Sequence, residues 1–235
     1  MNERALNNSI YQFNENSPCF SDFYQLLSKL AARDFGEHKK VLMVTSATEG
    51  EGKTTVASYL AITGTLSSSD YFVLIDGDLR KPQLHKRFGL SRDGGLADIL
   101  LNKKRLTEVI HKTAFRNLHL ITAGRYEDKP FQLLQLNETK ELINHIRLYY
   151  KLILIDGPPI IPVSDALRLA EVVDGILMVV KAGKTPRTVI KRAIDVLTES
   201  GCPLVGVVLN DRNQVLPYYY QQRYYRYNYS PTNHD

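Results

Sequence analysis

The 235-residue chain has 43% hydrophobic and 23% charged residues and a formal charge of +5, the balance of an ordinary globular protein with room for one sizeable α/β core. Its longest apolar runs, such as residues 152–155 and 176–180, are far shorter than the roughly 20 residues of a membrane-spanning helix, and the polar first 16 residues lack the apolar heart of a signal peptide. Two cysteines in dissimilar contexts, Cys19 and Cys202, argue against a disulfide framework, and six histidines without ligand spacing give little support to a transition-metal site, so the chain is expected to work in a reducing cytoplasm.

In chain order, residues 1–18 are polar and Asn-rich and read as a loose arm. Apolar residues at Phe23, Leu26, Leu27, Leu30 and Ala31 recur at helical spacing, so residues 19–33 read as an amphipathic helix, and residues 1–38 form an arm-and-helix unit ahead of the main domain at 39–216. The run Val41-Leu42-Met43-Val44-Thr45-Ser46 reads as a buried strand. It feeds Ala47-Thr48-Glu49-Gly50-Glu51-Gly52-Lys53-Thr54-Thr55, which matches G-x-x-x-x-G-K-[ST] at every fixed position except the first glycine, here Ala47. Glycines let successive backbone N–H groups turn inward on an anion, and the helix expected over residues 53–66 presents its positive end to the same place. Lys53 is positioned to reach β- and γ-phosphates, and the Thr54 hydroxyl to hold Mg²⁺, which takes oxygen ligands.

A second strand over residues 71–75 ends in Asp76-Gly77-Asp78-Leu79-Arg80-Lys81-Pro82. Two carboxylates at a strand exit are costly unless a cation meets them; Mg²⁺ and a substrate hydroxyl are the candidates, a solvated acidic turn the plain alternative. Residues 83–112 carry short helical patterns, residues 118–122 read as a strand, and residues 138–150 as a helix with Leu142, Ile146 and Tyr149 on one face. The strand at 152–155 runs into Asp156-Gly157-Pro158-Pro159, the form of a segment whose carboxylate holds Mg²⁺ through water. A helix at 163–171, a strand at 175–181, a helix capped by Thr185 with Pro186 at its first position and ended by Gly201, and a strand at 204–209 complete the domain. Apolar strands alternating with helices predict an α/β fold: a doubly wound, mostly parallel sheet with helices on both faces, whose carboxyl edge gathers residues 47–55, 76–80, 156–159 and Asn210.

Beyond Leu216 aliphatic side chains cease, and seven of the fourteen tyrosines fall in the last eighteen residues: Tyr218, Tyr219, Tyr220, Tyr224, Tyr225, Tyr227 and Tyr229. Residues 217–235 read as a mobile tail, open to three readings: a sticky low-complexity end, an Arg/Tyr stacking surface for single-stranded nucleic acid, or a phosphorylation substrate.

Residues 46–54, 75–82, 155–159, Val207-Val208-Leu209-Asn210 and the tyrosine cluster together resemble the bacterial tyrosine kinases of capsule and exopolysaccharide synthesis, over residues 39 to the C-terminus. The resemblance implies a P-loop NTPase fold and ATP-dependent autophosphorylation of the seven tail tyrosines with Mg²⁺. Glu49, Gly50, Glu51, Gly52, Lys53, Thr54, Thr55 and Asn210 would bind ATP, Thr54, Asp78 and Asp156 would hold the metal, and Lys53 and Asp76 would be catalytic, Asp76 as base towards the tyrosine hydroxyl. It further implies a homo-oligomer at the inner face of the cell membrane, a membrane-bound chain-length regulator as activator, an antagonist tyrosine phosphatase, and no nucleic acid. Two features depart from the family: its Glu-x-x-Arg-x-x-Arg assembly motif is replaced by Ser21, Tyr24 and Leu27, and its Pro-rich segment is reduced to Pro130 with Leu133-Leu134. A partitioning or septum-site ATPase is the alternative, against which Thr48 stands where those proteins carry an extra lysine; a binding protein with residual ATPase activity is the third.

Overall fold

The computed structural model describes residues 10–126, 130–134, 136–201 and 203–211; Cys202, residues 127–129 and the tail tyrosines from Tyr218 to Tyr229 lie outside them. The strands are β1 (Val41–Ser46), β2 (Phe72–Asp76), β3 (His111–Lys112), β4 (Leu118–Ile121), β5 (Leu152–Asp156), β6 (Gly175–Lys181) and β7 (Leu204–Asn210). Helices are α1 (Phe20–Ala31), α2 (Lys53–Ser67), α3 (Leu84–Arg87), α4 (Leu96–Leu100), α5 (Leu106–Val109), α6 (Pro130–Leu133), α7 (Leu136–Ile146), α8 (Asp165–Ala170) and α9 (Arg187–Glu199).

Every residue of β1, β2 and β5 is buried, as expected of strands covered on both faces. Alternation splits them between two cores. Met43, Ile75 and Ile155 pack with Leu142, Ile146, Leu169, Ala193 and Leu197 from α7, α8 and α9, whereas Leu42, Val44, Leu74 and Leu154 pack with Val56, Leu60 and Ala61 of α2 and with α1. At about 1.5–3 kcal/mol for each buried aliphatic side chain, these two layers supply the driving force for the three-layer arrangement.

The sheet order is β3-β4-β2-β5-β1-β6-β7, parallel except for β3 against β4. The doubly wound, mostly parallel sheet is thus as the pattern predicts. Because β5 lies between β1 and β2, the three loops that leave these strands emerge side by side at the carboxyl edge.

Some local features differ from the sequence reading. The N-terminal segment is packed, not loose, from Ile10 onward: Ile10 is fully buried and Phe13 nearly so, since their side chains complete the layer over α1 and α2. Tyr149 is not on the buried face of α7, because the helix ends at Ile146; Tyr149 is 62% exposed and Tyr150 is buried instead. Pro186 is the cap of α9, not its first residue, with ψ 143° placing it in extended backbone ahead of Arg187; Thr185 precedes the cap.

Candidate active site

The loop between β1 and α2 is shaped by backbone that only glycine adopts easily. Gly50 and Gly52 have φ of 78° and 97°, and a Cβ on Gly52 would lie 2.1 Å from Asn210 Nδ2. Asn210, at the end of β7, donates from that Nδ2 to the Glu51 carbonyl at 2.9 Å, and so braces the loop from the edge strand two places from β1. Glu51 turns back within the loop, its Oε1 accepting from Thr48 Oγ1 (2.6 Å) and Thr48 N (3.1 Å). Thr48 thereby ties the loop to itself.

Lys53 and Thr54 open α2 directly below the carboxylates. Lys53 Nζ donates to Asp78 Oδ2 at 2.7 Å and lies 3.8 Å from Asp156 Oδ1, while Thr54 Oγ1 donates to Asp156 Oδ2 at 2.6 Å. Asp78 Oδ1 accepts from Lys81 N at 3.0 Å. A cavity of about 290 Å³ is lined by Glu49, Gly50, Gly52, Lys53, Thr54, Asp78, Lys81 and Gln83. Glu49 and Lys81 form an exposed ion pair (2.6 Å) across its mouth.

Asp76 is fully buried and does not line this cavity. Its Oδ2 accepts from Gln83 N (3.1 Å) and Leu84 N (3.0 Å), and it sits in parallel register with Asp156. Burial, then the Asp156 carboxylate, pushes the Asp76 carboxyl up from 3.8 to about 8, against the pull of the Leu84 N–H. Burial likewise lifts Asp156 to about 6, against Lys53 and the Thr54 hydroxyl. For Lys53 burial works against the charge, yet the fields of Asp156 and Asp78 outweigh it and hold the ammonium above its usual range. The arrangement concentrates negative charge that Lys53, with the more distant Arg87 acting on Asp156, does not fully offset.

Asp76 Oδ1 and Asp156 Oδ1 are buried without a hydrogen-bond partner among the described residues. Orphaned carboxylate oxygens are costly, and a hard cation is the fitting complement. Among the described residues no group of three or more His, Cys, Asp or Glu side chains could hold a metal ion. Mg²⁺ bound with phosphates, however, asks for only one or two carboxylates, so Thr54, Asp78 and Asp156 fit it.

Sequence reasoning missed the residues that hold the Asp76–Lys81 loop in place. Arg80 clasps the buried Asp165 with Nε to Oδ2 at 2.6 Å and Nη2 to Oδ1 at 3.2 Å, Tyr126 Oη donates to the Leu79 carbonyl, and Arg87 donates to Thr55. Asp165, an acidic residue one position after a helix cap, carries no motif that could have flagged it. Thus the structure gathers Glu49, Gly50, Gly52, Lys53, Thr54 and Asp78 around one cavity, with the buried Asp76 and Asp156 outside its lining, Asp156 in contact with Lys53 and Thr54, and Asn210 against the loop.

No family model matches the chain. It is 34% identical over 173 residues to the tyrosine-protein kinase YwqD of Bacillus subtilis (strain 168), covering 74% of this chain and 73% of that one. It is 31% identical over 186 residues to the tyrosine-protein kinase CpsD of Streptococcus agalactiae serotype III, covering 78% and 79%. The kinase domain of Escherichia coli tyrosine kinase ETK superposes with a TM-score of 0.80 at 27% identity, over 89% of this chain and 80% of that one.

Proposed function

The chain belongs to the bacterial tyrosine-protein kinases, and on that premise we propose that it transfers the γ-phosphoryl group of ATP to the tyrosines of its own C-terminal cluster. The observation that carries the reading is the convergence of Lys53, Thr54, Asp78, Asp156 and Asp76 at the ends of three adjacent strands. Phosphoryl transfer asks little covalent chemistry of a protein; positioning and charge neutralisation dominate. The loop N–H groups and Lys53 receive the phosphates, for which Lys53 must exchange part of its bond to Asp78. Thr54, Asp78 and Asp156 would hold Mg²⁺, which when bound neutralises charge developing on the phosphate oxygens.

Asp76 is the proposed base. A phenol of pKa near 10 is served best by an acceptor whose proton affinity lies near the working pH; burial and the Asp156 carboxylate raise the proton affinity of Asp76 in the free protein, and Mg²⁺ held by Asp156 would lower it again. Asp76 is fully buried and outside the cavity lining, so the side chains around it must open for the acceptor hydroxyl to reach it.

The tail tyrosines Tyr218 to Tyr229 are the proposed acceptors, and control of capsule or exopolysaccharide synthesis and export the proposed role. Recruitment to the inner membrane face by a membrane-bound chain-length regulator acting as activator belongs to the same proposal. A homo-oligomer built without the family's charged motif, since Ser21, Tyr24 and Leu27 stand there, and reversal by a tyrosine phosphatase complete the proposal. Incubating the pure chain with ATP and Mg²⁺ tests it: phosphotyrosine should form on wild type and be absent from Lys53→Ala and from a chain ending at residue 216. Labelling of Lys53→Ala to the wild-type level would overturn the site.

A further inference from the structure

Arg87 closes α3, the short helix whose first backbone N–H groups hold Asp76. Its Nη1 donates to Thr55 Oγ1 at 3.1 Å, and its guanidinium lies 5.6 Å from the centroid of the Tyr59 ring, within cation–π range. Tyr59 is stacked on Phe13, with ring centroids 4.5 Å apart at 29°, and Phe13 is buried in the N-terminal segment. Arg87 Nε is buried without an acceptor among the described residues, so the guanidinium is held by the Tyr59 face and the Thr55 hydroxyl, and its charge also acts on the Asp156 carboxylate. A continuous chain of contacts thus runs from Phe13 through Tyr59 and Arg87 to the first turn of α2.

A hydroxyl has one hydrogen and two acceptor lone pairs. Arg87 occupies a lone pair of Thr55, so the Thr55 hydrogen cannot point at the guanidinium and must seek another acceptor. Among the described residues none takes it, and since Thr55 is half-buried the hydrogen is left to solvent or to a ligand. Thr55 lies in the first turn of α2, where backbone N–H groups also lack intrahelical partners. We propose that Arg87 is a positioning residue for nucleotide binding, which commits the Thr55 hydroxyl as a donor to a phosphate and is itself held by the aromatic stack that begins at Phe13. This rests on the nucleotide site proposed above and adds to it a residue outside the phosphate-loop motif.

The test is ADP affinity, measured calorimetrically with Mg²⁺ on the full chain, for wild type, Arg87→Gln, Thr55→Val and the double variant. Each single change should weaken ADP binding about tenfold, the scale of a charge-assisted hydrogen bond. The double should be no weaker than either single, since the two residues act as one unit. In the kinase assay KM for ATP should rise while kcat at saturating ATP changes less than about twofold, because Arg87 does not touch the reacting atoms. Arg87→Lys, which keeps the charge and loses the planar fork, should recover only part of the affinity. Thr55→Val, nearly isosteric, carries the test even if Arg87→Gln does not fold. Unchanged affinity in Thr55→Val, or losses that multiply in the double variant, overturn the positioning role while Lys53-dependent ADP binding leaves the nucleotide reading standing. Failure of wild type to bind ADP, or binding indifferent to Lys53→Ala, overturns the nucleotide reading and this proposal with it.

Discussion

Replacing Asp76 by Asn should stabilise the protein as it disables transfer. In the free protein Asp76 and Asp156 are register partners, both fully buried, each with one oxygen that accepts no hydrogen bond. Folding raises the Asp76 pKa from 3.8 to about 8, so the folded state binds a proton more tightly than the unfolded one. Below about pH 4 the carboxyl is protonated in both states and costs nothing. Between about pH 4 and 8 the cost grows as the unfolded state ionises, and above pH 8 it is constant. At about 1.4 kcal/mol per pH unit the ceiling is roughly 6 kcal/mol, and relaxation around the pair brings the expected gain to about 2–4 kcal/mol at pH 8. Asn removes that cost, can still accept from Gln83 and Leu84, and offers an N–H₂ where Asp76 has an orphaned oxygen. With about 2–4 °C per kcal/mol for a domain of this size, Tm should rise by roughly 5–15 °C at pH 8 and by little at pH 4.5. Thermal melts from pH 4.5 to 8.5 in chelator, beside phosphotyrosine labelling, read both effects. Mg²⁺ with ADP should narrow the gap, because a cation offsets the same charge. A gap that is flat with pH, or an Asn variant less stable at pH 8 than wild type, would refute the electrostatic account of Asp76.

Lys53→Ala removes the cation between Asp78 and Asp156; it should abolish ADP binding in calorimetry and lower stability at pH 8 by about 3–5 kcal/mol, the cost of orphaning a buried charge. Gly52→Ala forces a side chain onto Asn210 at φ 97° and should cost about 1–3 kcal/mol with loss of ADP binding, whereas Gly50→Ala, with open space around it, should keep more affinity. Arg80→Ala leaves the buried Asp165 without its partner and should lower stability by about 1–3 kcal/mol and raise KM for ATP through the loosened loop, read by melts and kinetics. Mixing intact-tail Lys53→Ala with an active chain ending at residue 216 should give phosphotyrosine on the inactive partner at a rate rising with concentration. Each modified tyrosine adds about −1.5 to −2 charges, so native mass spectrometry should show association weakening as labelling proceeds. No transfer at any concentration, with normal labelling of wild type, would place the reaction within one chain.

Much of the architecture was legible because the information is local. Val41 to Ser46, Phe72 to Asp76 and Leu152 to Asp156 are apolar runs ending in loop-making residues, and a strand buried on both faces needs little more. The phosphate loop is equally local, since its glycines, Lys53 and Thr54 act within nine residues. Strand order is not local: that β5 inserts between β1 and β2, and so sets Asp76 against Asp156, follows from how helices pack on the two sheet faces. Only that packing makes two ordinary aspartates into a strained, proton-hungry pair. The same holds for Asn210 on the Glu51 carbonyl, Arg80 on Asp165 and Arg87 on Thr55, each spanning residues far apart in the chain. A polar N-terminus likewise gave no sign of becoming core, because two apolar side chains, Ile10 and Phe13, are too few to show a period yet enough to close a layer. Sequence by itself determined the strands, the phosphate loop and the kinds of residue at the sheet edge; tertiary packing decided which charges face one another, because electrostatic energy depends on distance and burial, which no linear pattern carries.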